Sequence, residues 1–125
     1  MTAIRSSAAS ILLLIGLAVA PAWAGEADVV AVVVDHRMDG RFDFHVTIRS
    51  NDRGWDSYAD AFEILTPDGG VLGRRELLHP HADEQPFTRE LLGVAVPPGI
   101  EQVVVRAHHR RHGYDDTTVT IPLPR

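Results

Sequence analysis

Apolar and polar positions alternate with a period of two through much of the chain beyond residue 28. Phe42, Phe44, Val46 and Ile48 are interleaved with Asp43, His45, Thr47 and Arg49, as expected of a strand with one buried and one wet face. A Val-rich run over 29–34 precedes it, and Asp39-Gly40 marks the turn between them. A third strand is expected over 58–66, with Phe62 and Ile64 inward, and Pro67-Asp68-Gly69-Gly70 reverses the chain into a fourth over 71–78. After a polar loop the pattern resumes over 87–96, with a bulge expected at Gly93, and Pro97-Pro98-Gly99 turns the chain again. Strands over 102–107, with Val103 and Val105 inward, and over 117–123 complete the set. A competing local reading places a helix over 85–92, started by Pro86 and stopped by Gly93, but at barely two turns it would need tertiary support. Seven short antiparallel strands in about 100 residues predict an all-β sandwich with immunoglobulin-like or fibronectin-like Greek-key order.

The first 24 residues follow another rule. Arg5 supplies a positive start, 11–20 is an apolar stretch, and Ala22-Trp23-Ala24 is a small-x-small cleavage pattern. The stretch falls short of the roughly 20 apolar residues of a spanning helix. A cleaved signal peptide over 1–24 is therefore expected, with a single domain over 25–125 beginning at Gly25. That predicts a periplasmic or secreted protein with no membrane partner after cleavage. Trp55 is then the one tryptophan left.

Composition removes several function classes. The chain has 125 residues, a formal charge of −5 and no cysteine, with a mass of 13.7 kDa and a pI near 5.7. One small domain fits that length. An acidic chain without a cationic stripe gives no electrostatic basis for binding nucleic acid. Without cysteine there is no disulfide framework, thiolate zinc site, Fe–S cluster or lipidated N-terminal Cys. The serines beyond residue 24 are Ser50 and Ser57, neither in a G-x-S-x-G context, so no nucleophilic enzyme is expected.

In a Greek key, alternate connections gather at one end. Here these are 51–57, with Asp52, Trp55 and Asp56; 79–86, with His79, His81, Asp83 and Glu84; and 108–116, with His108, His109, His112, Tyr114, Asp115 and Asp116. Five of seven histidines share that end, whereas His36 lies at the other and His45 on an outward strand position. Imidazoles ligate zinc and copper, and carboxylates complete sites where thiolates are missing. The leading expectation is a copper or zinc site built on His79 and His81, joined by His108, His109 or His112, with Glu84 as a carboxylate. Against it, loop histidines are usually just solvated. The fixed charge of Arg106, Arg110 and Arg111 also disfavours a cation unless Asp115, Asp116 or Glu84 offsets it.

Two alternatives stay open. One is a non-catalytic module that meets another envelope protein through its loops or strand edges. The other is a sugar or anion site using Trp55 and Tyr58 as an aromatic platform and the Arg-His run over 106–112 as an anion grip. Glu84 and Arg89 are expected to brace their loop while Phe87 plugs the core, and Asp60 and Glu63 are candidate partners for Arg74, Arg75 or Arg89.

Gly54-Trp55-Asp56-Ser57-Tyr58-Ala59-Asp60 with Phe62-Glu63, followed by His79-Pro80-His81 and Glu84-Gln85-Pro86-Phe87-Thr88-Arg89, resembles a family of small exported bacterial proteins marked by GWxxYAD and HxHxxEQPFTR motifs. The resemblance spans most of the domain and carries no enzyme activity or ligand with it. It implies that His79, His81, Glu84, Gln85 and Arg89 form one unit with Trp55, Tyr58 and Asp60.

Overall fold

A computed structural model describes residues 25–114 and 117–125. The expected signal peptide over 1–24, and Asp115 and Asp116, lie outside the described residues. Among the described residues eight strands run in order: β1 (Ala27–His36), β2 (Phe42–Ser50), β3 (Ala59–Leu65), β4 (Val71–Glu76), β5 (Phe87–Val94), β6 (Gln102–His109), β7 (Gly113–Tyr114) and β8 (Val119–Pro122). They form two antiparallel sheets, β1-β2-β5 and β4-β3-β6-β7, with β8 also paired to β6. This is the expected all-β sandwich. Among the described residues the strand count is eight rather than seven because Gly113–Tyr114, expected to lie in a connection, pairs with the end of β6. His108 and His109 lie opposite Tyr114 and Gly113.

The alternating residues of β2 behave as their pattern requires: Phe42, Phe44, Val46 and Ile48 are buried. Across the core they face Phe62, Ile64, Val103, Val105 and Ala107 of the second sheet, with Phe87 of β5 closing the same cluster. Burial of each large side chain contributes about 1.5–3 kcal/mol, enough for the interior to outweigh a local helix preference over 85–92. That segment is β5, in register with β2 from Ile48↔Phe87 to Phe44↔Leu91. The expected irregularity at Gly93 is present, since the register shifts between Phe44↔Leu91 and Phe42↔Val94 and Gly93 has φ 69°.

Antiparallel pairing carries β2 and β6 towards the same end as the starts of β3 and β5. The connections 51–58, 77–86 and 110–112 consequently share one end of the sandwich, and the turns 37–41, 66–70 and 95–101 share the other. Backbone hydrogen bonds tie the first group together. Arg110 N–H donates to Tyr58 O at 2.8 Å, and Leu77 N–H to Asp60 O at 2.8 Å.

Candidate functional site

The loop end is built around a buried carboxylate. Asp52 follows β2, and its side chain is fully shielded from solvent. Its Oδ1 accepts the N–H of Ala59 at 2.9 Å and its Oδ2 the N–H of His81 at 2.8 Å. Charge-assisted bonds of this kind are roughly twice as strong as neutral ones, so one side chain clamps the 51–58 connection to the 77–86 connection. Between them, Ser57 N–H donates to Gly54 O at 3.1 Å and Arg53 N–H to Ser57 O at 2.8 Å. This closes a four-residue turn with Trp55 at its tip. Trp55 is 67% exposed and rests edge-on against Tyr58, with ring centroids 6.1 Å apart.

The second motif forms a brace. Gln85 Oε1 accepts Ser50 N–H at 2.8 Å, and its Nε2 donates to Ser50 Oγ at 3.1 Å and to His81 O at 3.0 Å. The Gln85-Pro86 peptide is cis. Phe87 is buried and stacks on the His81 ring at 3.9 Å. Arg89 Nη2 donates to His81 Nε2 at 3.0 Å and lies 3.4 Å from Glu84 Oε1. Burial pushes the His81 imidazole below its ordinary value of 6.5, reinforced by His79 and Arg89 and opposed by Asp52 and Glu84. The ring is therefore a neutral structural group.

The histidines share an end but not a site. His79 and His81 are adjacent, with ring centroids 4.4 Å apart, and His79 Nδ1 lies 3.0 Å from Pro80 O. His108 Nδ1 pairs with Asp60 Oδ1 at 2.5 Å and its ring meets Tyr114 edge-on. His109 is buried, and its Nδ1 accepts the N–H groups of Arg111 at 3.2 Å and His112 at 3.3 Å, shaping the turn. His112 Nε2 lies 3.4 Å from Glu26 Oε1. Among the described residues no group of three His, Asp or Glu side chains is arranged to hold a metal ion. No such group joins His79, His81 or Glu84 to His108, His109 or His112 among the described residues: His81 is held by Arg89 of β5, His108 by Asp60 of the neighbouring strand, His109 by its own turn and His112 by Glu26 ahead of β1.

The expected ligand-binding set divides in the same way. Tyr58 is 6% exposed and supports Trp55 from below. Asp60 is committed to His108, and Arg89 to His81 and Glu84. Only Trp55 is presented. Asp52, the hub, carried no local signal beyond its place after a strand.

A separate network lies on the outer face of the five-stranded sheet. Glu63, 5% exposed, accepts from Arg106 Nε at 2.8 Å, Arg74 Nη1 at 2.7 Å and the Tyr114 hydroxyl at 3.1 Å. Burial alone would raise this carboxyl, but the Arg106, Arg74 and Tyr114 hydrogen bonds outweigh it and hold Glu63 below the ordinary 4.5. The Arg106 guanidinium also stacks on the Tyr114 ring at 3.7 Å.

No family model matches the chain, and no solved structure does. Over 96 residues the chain is 42% identical to a protein of Halomicrobium mukohataei described as "Putative lipoprotein". The match covers 77% of this chain and 47% of that protein, so the chain spans about half the length of the curated relative it matches.

Proposed function

We propose that the protein is an exported, non-catalytic binding module of the cell envelope that meets its partner through the loop end centred on Trp55. The observation that carries this reading is a large aromatic side chain held out into solvent on a turn clamped by the buried Asp52 carboxylate. An exposed indole on a pre-ordered loop loses little conformational freedom on binding. His81, His108 and His109 are engaged by hydrogen-bond partners, and the large apolar side chains presented by the 51–58, 77–86 and 110–112 connections among the described residues are Trp55 and Leu78. The apolar N-terminal segment and the name of the Halomicrobium protein support export and attachment to the envelope. The 125 residues contain no cysteine, so no lipid is carried on a thiol of this sequence.

Site-specific photo-crosslinking in producing cells tests the reading. A photoreactive phenylalanine replaces Trp55 in one variant and Met38, which is fully exposed at the opposite end, in another. A discrete adduct from position 55 and none from position 38 is expected. No adduct from position 55, or equal adducts from both, would overturn the proposal.

A second reading keeps a transition metal at this end, on the single observation that the His79 and His81 rings lie side by side. It requires Arg89 to release His81. Calorimetric titration of Cu(II) and Zn(II), repeated on His79→Ala and His81→Ala, tests it, and binding weaker than about 0.1 mM would remove it.

A further inference from the structure

The edges of a β-sheet offer unpaired N–H and C=O groups, which proteins usually blunt. Among the described residues, three of the four edges of this sandwich are treated in that way. β4 is short and carries Arg74, Arg75 and Glu76. On β5, Arg75 Nη1 donates to Glu90 O and Arg41 Nη1 to Gly93 O. Beyond β6, β7 has two residues and β8 four, ending in Pro122. β1 is different. It runs for ten residues, uncharged from Val29 to Val34, and pairs with β2 alone. Arg37 N–H donates to Arg41 O, and the register holds without a shift from His36↔Phe42 to Ala31↔Thr47. Backbone direction alternates along an antiparallel strand, so Ala31, Val33 and Asp35 face β2 while Val32 and Val34 turn their N–H and C=O groups to the free edge. Side chains there are uncovered as well. Val33 is 59% exposed. Val32 and Val34 are half-buried on the side where β1 approaches β8, whose Val119 and Ile121 are half-buried too. The opposite side of the sandwich is shut more closely: Gly73 of β4 lies so near β5 that an added Cβ would come within 2.9 Å of Leu91.

From this we infer that the free edge of β1 pairs with a second copy of this chain, the two β1 strands running antiparallel about a two-fold axis at Val33. In that register the outward groups match. Val32 of each copy exchanges N–H and C=O hydrogen bonds with Val34 of the other, and the two Val33 residues stand opposite each other as a non-hydrogen-bonded pair, Cα atoms about 4.5 Å apart. The sheets then join into one of six strands, β5-β2-β1 continuing into its symmetry mate. Charge selects this occupant and this register. The stretch 29–34 carries none with which to choose a foreign ligand. Centred on Val33, the two Asp35 side chains lie four positions apart, about 14 Å, each 3.3 Å from its own His45 Nε2; centring on Val34 would halve that distance between like charges. A bulge between Val29 and Ala31 ends the pairing on one side, so it spans 31–35 and leaves Met38 and Trp55 beyond it. Five residues give an edge about 17 Å long, which places the contact in the small class below about 1,200 Å². The dimer is accordingly weak, forming at about 0.1 mM protein and above.

Sedimentation velocity of the purified protein from about 10 μM to 1 mM tests the association. The sedimentation coefficient is expected to rise from that of a monomer to that of a dimer, and amide exchange at Val32 and Val34 should slow over the same range. Val33→Lys sets two ammonium groups against each other at the axis and should weaken association at least about tenfold; Val33 is exposed, so its thermal melt should stay near that of the parent. The register is read by a disulfide, since the chain has no cysteine of its own. A Cα separation of about 4.5 Å lies within disulfide range, so Val33→Cys should cross-link under mild oxidation much faster than Leu92→Cys, which is exposed on β5. A monomer at every concentration overturns the inference, as does dimerisation unaffected by Val33→Lys or cross-linking no faster at position 33 than at 92. A protein that stays monomeric yet binds an unrelated Val-rich peptide through the amides of Val32 and Val34 would give the edge to a foreign strand and equally overturn self-pairing.

Discussion

Arg89 Nη2 lies 3.0 Å from His81 Nε2, and both side chains are packed around the ring of Phe87. A guanidinium can only donate, so His81 Nε2 must be the acceptor and its proton sits on Nδ1. That nitrogen is buried without a hydrogen-bond partner and faces Asp52 Oδ2 at 4.0 Å. Adding a second proton would set an N–H against an N–H.

The consequence is a pH dependence of stability. Because folding depresses the His81 value, the unfolded chain takes up the proton first as pH falls below 6.5. The native state should therefore be favoured above that pH and lose the corresponding stability below it, until the folded-state value is passed. Urea unfolding at pH 7.5 and 5.5 checks this. The decline should be larger for the parent than for His81→Gln, whose amide oxygen can still accept from Arg89 without titrating. An equal decline in both proteins would contradict the assignment.

Asp52→Ala should be among the most damaging single changes outside the apolar core. It leaves the N–H groups of Ala59 and His81 without acceptors, at about 1–3 kcal/mol each. A total loss of about 3 kcal/mol is expected by urea denaturation. Amide exchange should accelerate at Ala59 and His81 before it does so in β2 or β6.

Glu63→Ala removes the shared acceptor of Arg74, Arg106 and Tyr114. The two arginines are each about one-third exposed, so water recovers part of the loss and a cost of about 2 kcal/mol is expected, below the 3–5 of fully buried pairs. With its carboxyl held below 4.5, Glu63 stabilises the fold above that pH, and the contribution disappears as pH drops through the lowered value. The stability difference between parent and variant should narrow as pH falls below 4.5.

Gly93→Ala tests the bulge. The backbone there has φ 69°, and an added Cβ would sit 3.0 Å from Arg37 Nη1. A left-handed conformation at a non-glycine residue costs about 1 kcal/mol. A lowered melting temperature with an unchanged far-ultraviolet spectrum is the expected result.

Much of the architecture was legible along the chain. The period-two runs of β2 and the Val103, Val105 pair of β6 identify their inward faces, because a strand alternates its side chains whatever it packs against. Turn residues at Asp39-Gly40, Pro67 to Gly70 and Pro97 to Gly99 separate the strands, and that alternation of direction is enough to send 51–58, 77–86 and 110–112 to one end. The strand at Gly113–Tyr114 escaped notice because its existence depends on His109 accepting two N–H groups of the turn, which no composition rule anticipates.

Which partner each loop histidine takes was decided only by the folded chain. Asp52 meets His81 across 29 positions and Asp60 meets His108 across 48. Hydrogen-bond geometry of that kind depends on sheet register and loop path to within about half an ångström, whereas a sequence pattern resolves only which face or which end a residue belongs to. Local order along the chain therefore determined the sandwich and the gathering of its loops. Three-dimensional packing alone gave His81, His108 and His109 their hydrogen-bond partners and left Trp55 facing solvent.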